Sequence, residues 1–204
     1  DAVARDCQDL AELFADPSGV AAHLVVSGGA RGITGVPDHL AIAEVMGLPL
    51  RSVLVNSGPG ALPTAEVVAA ARAVLGPEAG AAVSIRTVEA QDVEPARLSQ
   101  LRKLGVTLPA PNGRARGSAA PTVAHLGGEG LEAEYQLSWR QSLPDPNDLA
   151  LGRSGDDLLV TVAGFRQPVP LPSVLRRCRV TGADWDGTEL IVRFRPNPAV
   201  WPKR

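Results

Sequence analysis

The chain has 204 residues, enough for one large domain or two small ones, and its hydrophobic fraction of 45% is sufficient to build a core. A net charge of -2 excludes a general nucleic-acid binder, which carries a basic face. No apolar run approaches the roughly 18 residues that a membrane span needs, and no signal peptide opens the chain, so we expect a cytoplasmic protein without a membrane span.

The first half of the chain alternates between strand and helix patterns. Short apolar runs predict buried strands, and apolar residues at helical spacing predict the helices between them. The predicted strands cover 23–26, 50–56 and 82–88, and the predicted helices cover 1–15, 38–46, 64–75 and 92–105. This order is typical of a parallel sheet with helical crossovers, so we predict an α/β domain over residues 1–106.

The second half of the chain has a different composition. Residues 107–130 are rich in Pro, Gly, Ala and Arg and show no periodicity, which predicts a flexible linker. Residues 131–204 predict a small all-β sandwich of about five strands. The predicted strands cover 135–143, 157–163, 166–171, 179–185 and 189–195. Prolines in the third of them predict that it lies at the edge of its sheet.

A glycine-rich loop, Ser27–Gly35, follows the first predicted strand. Taken alone, it resembles the cofactor loop of short-chain dehydrogenases, in which glycines let the backbone approach a pyrophosphate. Thr34 stands where that pattern places its last glycine, and the tyrosine and lysine four residues apart that such enzymes need are absent from the sequence. A structural loop is therefore the preferred interpretation, and a dinucleotide site is the alternative.

The lysines exclude one way of holding a triphosphate. A Walker A loop needs a lysine directly after a glycine, where it bridges the terminal phosphates. The two lysines of the chain are Lys103, in a predicted helix, and Lys203, beside the carboxyl terminus. Neither follows a glycine, so we expect no ATP hydrolysis through a P-loop from these residues, and we assign no catalytic residue.

Metal sites are not indicated either. The cysteines Cys7 and Cys178 lack a CxxC or metal-ligand spacing, so we expect free thiols, although the sequence leaves a disulfide open. His23, His39 and His125 are scattered and form no zinc-binding pattern. We therefore predict no metal site in this chain.

Asn56 ends the second predicted strand, at the edge where ligands of open α/β sheets bind. An amide there can read the edge of an adenine through a paired donor and acceptor. The alternative is a turn asparagine ahead of Ser57 and Gly58, which composition alone favours.

With these residues in view, the chain resembles the C-terminal part of the ArsA family, the arsenite-transporting and tail-anchored-protein-targeting ATPases. More narrowly, it is similar to the actinobacterial type, which ends in a small-heat-shock-like (alpha-crystallin-like) β domain. The similar stretches are 13–26, 47–56, 88–104 and, most specifically, 148–201.

The resemblance implies a partial parallel-sheet P-loop-type domain over 1–106, followed by a small alpha-crystallin-like sandwich. It implies that the P-loop lies upstream of Asp1, so we expect a truncated chain. ATP and magnesium are implied for the complete protein, and none is expected to bind tightly to this chain.

The resemblance also implies a nucleotide site. Asn56 matches the asparagine with which the family contacts adenine. The loop from Val88 to Glu94 lines the base pocket, which assigns Val88, Gln91 and Asp92 to the same site.

Two functions follow as expectations. The first is the C-terminal portion of an ArsA-like ATPase, with a second copy or a related ATPase subunit as its partner. The alternative is a chaperone-like protein-interaction module, in which the sandwich binds a protein client. Its edge strand at 166–171 could pair with a strand of the client, although prolines 168, 170 and 172 blunt that edge.

Overall fold

A computed structural model describes residues 2–16, 18–58, 63–79, 83–91, 95–112 and 121–202. The chain folds as two compact units. The amino-terminal unit is built mainly from the described residues before 113, and the carboxyl-terminal unit is built mainly from 121–202.

A three-stranded parallel sheet with the strand order β1-β2-β3 forms the centre of the amino-terminal unit. Its strands are β1 (Ala22–Ser27), β2 (Leu50–Ser57) and β3 (Ser84–Glu89). Each strand overlaps a strand predicted from the sequence, and the middle strand is the most deeply buried, with Val53 and Val55 at 0% exposure. The predicted parallel sheet is confirmed for this unit.

The described part of this unit also contains helices. They are α1 (Ala2–Ala15), α2 (Ala30–Thr34), α3 (Val36–Val45), α4 (Thr64–Ala79) and α5 (Leu98–Lys103). The helix α2 corrects the sequence prediction, because a loop was expected over Ser27–Gly35. The carbonyl of Gly29 accepts hydrogen bonds from the N–H groups of Gly32 and Ile33, so a helical turn starts directly behind β1.

The helix α5 is shorter than the helix predicted over 92–105. The side-chain oxygen of Gln100 accepts hydrogen bonds from the N–H groups of Ala96 (3.0 Å) and Arg97 (2.9 Å). This capping arrangement sets the start of the helix at Leu98. Residues 92–94 lie outside the described residues.

One face of the sheet packs against the helices. The buried residues of this core are Val26, Val36, Leu40, Leu50, Val53, Val55, Val67, Leu75 and Val83. All of them are valine or leucine, as expected from an aromatic content of only 3%.

Two apolar surfaces of the amino-terminal unit remain exposed. On α1, Val3, Leu10, Leu13 and Phe14 are at least 50% exposed and recur at helical spacing along one side. On β1, the side chain of Val25 is 63% exposed, on the face opposite the buried Val26. The register partner of Val25, Leu54 on β2, is buried, so the exposure on this face is at the edge strand β1.

The described part of the carboxyl-terminal unit contains two antiparallel β-sheets. One antiparallel sheet has the order β4-β5-β10-β9 and a second has the order β6-β7-β8. The strands are β4 (Thr122–Gly127), β5 (Glu134–Arg140), β6 (Ala150–Ser154), β7 (Asp157–Val162), β8 (Phe165–Pro170), β9 (Cys178–Trp185) and β10 (Glu189–Pro196).

Two of these strands were not predicted. Strand β4 lies inside the segment 107–130, which the sequence analysis interpreted as a flexible linker, and β6 lies between the predicted strands 135–143 and 157–163, where no strand was predicted. Both are edge strands that pair with a single neighbour, β4 with β5 and β6 with β7. The linker prediction is therefore wrong over Thr122–Gly127, and residues 113–120 lie outside the described residues.

Alternation of buried and less buried side chains builds the core of the sandwich. In β7 the buried residues are Leu158, Val160 and Val162, and in β10 they include Leu190, Val192 and Phe194. This period of two is the pattern of strands with one face towards the core. It is also the pattern from which the sequence predicted both strands.

The position of β8 at the edge of its sheet is confirmed. Pro168 lies opposite Leu159, and Pro170 lies opposite Asp157. Because proline has no N–H, both must occupy positions whose backbone points away from β7. Among the alternating positions 166, 168 and 170 on the outer edge, Arg166 alone has an N–H to offer a further strand.

Candidate functional site

The carboxyl ends of the three parallel strands carry the candidate nucleotide site. In the register of the sheet, Asn56 on β2 lies opposite Ser27 on β1 and opposite Val88 on β3. These three residues therefore form one row across the edge at which open α/β sheets bind ligands. Two of the four residues assigned from the resemblance, Asn56 and Val88, are brought side by side.

The backbone of Asn56 is fully engaged while its side chain is exposed. Its carbonyl oxygen accepts hydrogen bonds from the N–H groups of Gly28 (2.8 Å) and Gly58 (3.0 Å). Among the described residues, the side-chain amide has no hydrogen-bond partner. The amide therefore has a donor and an acceptor available to a ligand, as the reading of an adenine edge requires.

The other two assigned residues follow β3. Gln91 is exposed, and its side-chain nitrogen donates a hydrogen bond to the carbonyl of Glu89 at 3.3 Å. Asp92 lies outside the described residues. The assignment of Asn56, Val88, Gln91 and Asp92 to an adenine pocket stays a prediction.

The glycine-rich loop belongs to the same edge, which the sequence analysis did not foresee. The hydrogen bond from Gly28 to Asn56 ties the start of this loop to the end of β2. Gly32, on α2, lies so close to Ser27 that a Cβ would overlap the carbonyl oxygen of that serine. The available signal was that the loop begins at the end of one predicted strand and Asn56 lies at the end of the next. The carboxyl ends of neighbouring parallel strands lie at the same edge of a sheet.

A histidine–serine pair lies elsewhere on the sheet. The Nδ1 atom of His23 is 2.7 Å from the hydroxyl oxygen of Ser52, its register partner on β2. Partial burial, together with the positive charge of Arg51, lowers the pKa of His23 below its usual value. The pair joins β1 to β2 as a structural contact.

A concave surface in the carboxyl-terminal unit lies between the edge strands β6 and β9 and has a volume of about 500 Å³. Its apolar lining includes Leu151, Val180 and Val200. Arg153 also lines this surface, and its guanidinium donates hydrogen bonds to the backbone carbonyls of Arg176 and Cys178. These bonds hold β6 next to the start of β9 and so fix the two sides of the concave surface relative to each other.

The cysteines are both free thiols, as expected. Cys7 is exposed on α1, whereas Cys178 is buried at the start of β9 with its sulfur 3.4 Å from the carbonyl of Val174. Burial raises the pKa of the Cys178 thiol. In the part of the chain that the structure describes, no helix is both long and apolar enough to span a bilayer.

Comparison with known families decides what the sandwich is. Residues 132–194 match the family model described as the HSP20-like domain found in ArsA. This segment is an HSP20-like domain of the ArsA type. The resemblance predicted from the sequence is thereby confirmed for the HSP20-like domain, and the match begins just before β5 and ends within β10.

Curated relatives share part of this chain. Protein Rv2184c of Mycobacterium tuberculosis (strain ATCC 25618 / H37Rv) is 52% identical over 88 residues, which are 42% of this chain and 20% of that protein. Uncharacterized protein SCO2128 of Streptomyces coelicolor (strain ATCC BAA-471 / A3(2) / M145) is 45% identical over 75 residues, or 36% of this chain and 19% of that protein. The chain thus spans about a fifth of the length of these relatives.

Among solved structures, the small heat shock protein AgsA from Salmonella typhimurium, in a C-terminally truncated form, is similar to this chain. The sequences are 17% identical, and the match covers 42% of this chain and 96% of AgsA with a TM-score of 0.26.

Proposed function

We propose that this chain is the C-terminal portion of an ArsA-like ATPase. The observation that carries the proposal is the HSP20-like domain of the ArsA type, which follows a parallel α/β sheet in the same chain. In the complete protein, ATP and magnesium would bind to a larger α/β domain. The present residues would contribute one wall of its adenine pocket and the HSP20-like domain.

The exposed apolar surfaces of the amino-terminal unit support this proposal. The stripe on α1 and the side chain of Val25 on β1 expose apolar area to water, which is costly for a domain that is complete. Residues of a larger ATPase domain would cover both surfaces.

The side chains of the candidate nucleotide site suit an adenine ring better than a triphosphate. The free amide of Asn56 and the half-buried side chain of Val88 can contact an adenine. The lysine that a P-loop supplies is missing, since Lys103 is exposed at the end of α5 and Lys203 lies outside the described residues. We therefore expect weak binding of ATP and no turnover by this chain.

Titration of the ¹⁵N-labelled chain with ATP tests the proposal. We expect weak, saturable shifts of amide signals at the carboxyl edge around Asn56 and Val88, and no release of phosphate. Asn56→Ala should weaken binding about five- to a hundredfold, because it removes two hydrogen bonds of roughly 0.5–1.5 kcal/mol each. Asn147→Ala makes the same change in an exposed turn of the other unit and should leave binding unaltered.

Two outcomes would contradict the proposal in different ways. ATP shifts that map away from the carboxyl edge, or that persist unchanged in Asn56→Ala, would remove the adenine assignment. Phosphate release at a P-loop rate would show that another group in this chain replaces the missing lysine.

A second candidate function is a chaperone-like module that binds a protein client. The specific observation in its favour is the apolar surface between the edge strands β6 and β9, where an extended client segment would contact Leu151, Val180 and Val200. Strand β8, the edge suggested by the sequence, is less suitable because its prolines leave a single N–H for pairing.

Light scattering by a heat-aggregating client enzyme tests this second function. We expect the chain to suppress scattering, and Val200→Asp to lose most of the suppression because a charge would enter the apolar surface. Val200 is already 55% exposed, so the change should not unfold the domain. Leu108→Asp, at a similarly exposed residue of the amino-terminal unit, is the control. Equal suppression by both variants would reject this surface as the client site.

A further inference from the structure

A concave surface of the carboxyl-terminal unit is lined by aromatic rings and has no role in either proposed function. We call it the aromatic cavity. It has a volume of about 1130 Å³, and its lining includes His125, Glu129, Tyr135, Ser173, Arg177 and Trp201. Cavities of this kind, apolar with a few convergent polar groups, are the usual form of binding sites in proteins.

Three rings form a continuous strip in the aromatic cavity. The ring centroids of His125 and Tyr135 are 5.0 Å apart, and those of Tyr135 and Trp201 are 6.3 Å apart, with interplanar angles of 32° and 45°. The rings are held in place by the backbone. The N–H of Trp201 donates to the carbonyl of Asn197 (2.9 Å), and the N–H of Asn197 donates to the carbonyl of Arg177 (2.9 Å).

Two donors of this strip are unused, whereas the Nε2 atom of His125 lies 3.1 Å from the carbonyl oxygen of Gly128. The other two tryptophans have partners, because the indole N–H of Trp139 donates to the side chain of Gln141 at 3.2 Å and that of Trp185 donates to its backbone carbonyl at 2.8 Å. By contrast, neither the indole N–H of Trp201 nor the hydroxyl of Tyr135 has a partner among the described residues. An indole N–H that lines a cavity without a partner is suited to a ligand that accepts hydrogen bonds.

The charges favour a neutral ligand. The carboxylate of Glu129 and the guanidinium of Arg177 both line the cavity, and neither forms an ion pair among the described residues. Their charges offset each other, so neither a strongly cationic nor a strongly anionic ligand is preferred. What remains is a strip of ring faces with hydrogen-bond donors.

We propose that the aromatic cavity binds an extended Pro-X-Pro peptide segment in the polyproline II conformation. Proline rings pack on aromatic faces, and tertiary amides offer carbonyl acceptors without N–H donors, which complements the donors of Trp201 and Tyr135. In polyproline II the chain has three residues per turn and rises about 3.1 Å per residue. Two prolines separated by one residue therefore lie on adjacent edges of the helix, where both can face one surface, about 6.2 Å apart along the axis. This repeat matches the 6.3 Å between the rings of Tyr135 and Trp201.

The chain itself contains such a segment. Pro109-Ala110-Pro111 lies within 107–112, which is described without helix or strand. A synthetic peptide that copies Val106–Asn112, acetylated and amidated at its ends, is therefore a suitable probe. The matched control peptide carries alanine in place of both prolines.

The test titrates the ¹⁵N-labelled full chain with each peptide and follows the three indole N–H signals. We expect a saturable shift of the Trp201 signal with the proline peptide, while the signals of Trp139 and Trp185 stay in place and report an intact fold. The Trp201 variants lack this indole signal, so their affinities are measured from backbone amide signals around the aromatic cavity. Trp201→Ala should weaken binding by about tenfold or more, as the loss of an aromatic anchor does. Trp201→Phe keeps a ring without its N–H and should weaken binding about threefold, the effect of one hydrogen bond.

The proposal is overturned by several results. These are no saturable binding of the proline peptide, equal affinity for the alanine control, or unchanged affinity in Trp201→Ala. Binding of an amphipathic helical peptide or a planar small molecule at Trp201 without binding of the proline peptide would assign the cavity to a different occupant. Failure of the ATP titration leaves this test unaffected, because the two sites belong to different units.

Discussion

Replacing Phe194 by alanine is expected to lower the free energy of unfolding of the carboxyl-terminal unit by about 3–5 kcal/mol. Phe194 lies in β10, between β5 and β9, and its side chain is 0% exposed. The change removes buried apolar area and leaves a cavity in the core of the sandwich. Since domains are commonly stable by only about 5–15 kcal/mol, this is a large fraction of the total. Denaturant unfolding followed by tryptophan emission measures it.

The measurement is specific to this unit, because Trp139, Trp185 and Trp201 are all in it. Phe165→Ala is the matched control, since Phe165 lies in edge strand β8 and is only half-buried. It should cost about 1–2 kcal/mol, in proportion to the smaller area removed from water. Equal losses in the two variants would show that Phe194 is not at the centre of the core.

In the carboxyl-terminal unit, the sequence predicts a strand most clearly where buried and exposed side chains alternate along it. In β7 and β10 every second residue is buried, so the side chains alternate in polarity and the period of two is readable. In β6 one residue of five is half-buried and the other four are exposed. In β4 two residues of six are half-buried and none is fully buried. Such edge strands are held by backbone hydrogen bonds to a neighbour, which any residue except proline can donate, so their side chains carry little signal.

The candidate site was predictable to the extent that it follows from topology. Parallel strands end at the same edge, and this places Asn56 beside Val88 once the strands are known. The helix α2 was missed because glycines in sequence indicate a loop, whereas Gly32 is required for close approach to Ser27. The aromatic cavity could not be predicted, since His125, Tyr135 and Trp201 are brought together by tertiary structure alone.

Replacing Gly32 by alanine is expected to destabilise the amino-terminal unit by about 2–3 kcal/mol. A Cβ at this position would overlap both the backbone carbonyl oxygen and the hydroxyl oxygen of Ser27, at the end of β1. A backbone atom cannot rotate away, so α2 would have to move off the sheet and disturb the bond between Gly28 and Asn56. Apart from the last two residues of α3, the described helices α1–α5 belong to this unit, so ellipticity at the helix band reports its unfolding.

Gly35→Ala is the matched control, three residues further along the chain. A Cβ on Gly35 would meet its nearest neighbours, on Arg31 and His39, at 3.4 Å, close to ordinary contact. Its φ of -83° suits alanine, so this change should be neutral or stabilise the unit by up to about 1 kcal/mol. The two substitutions should therefore differ in sign. If Gly32→Ala were as well tolerated as Gly35→Ala, α2 would not pack closely on β1, and the glycine-rich loop would lose its structural explanation.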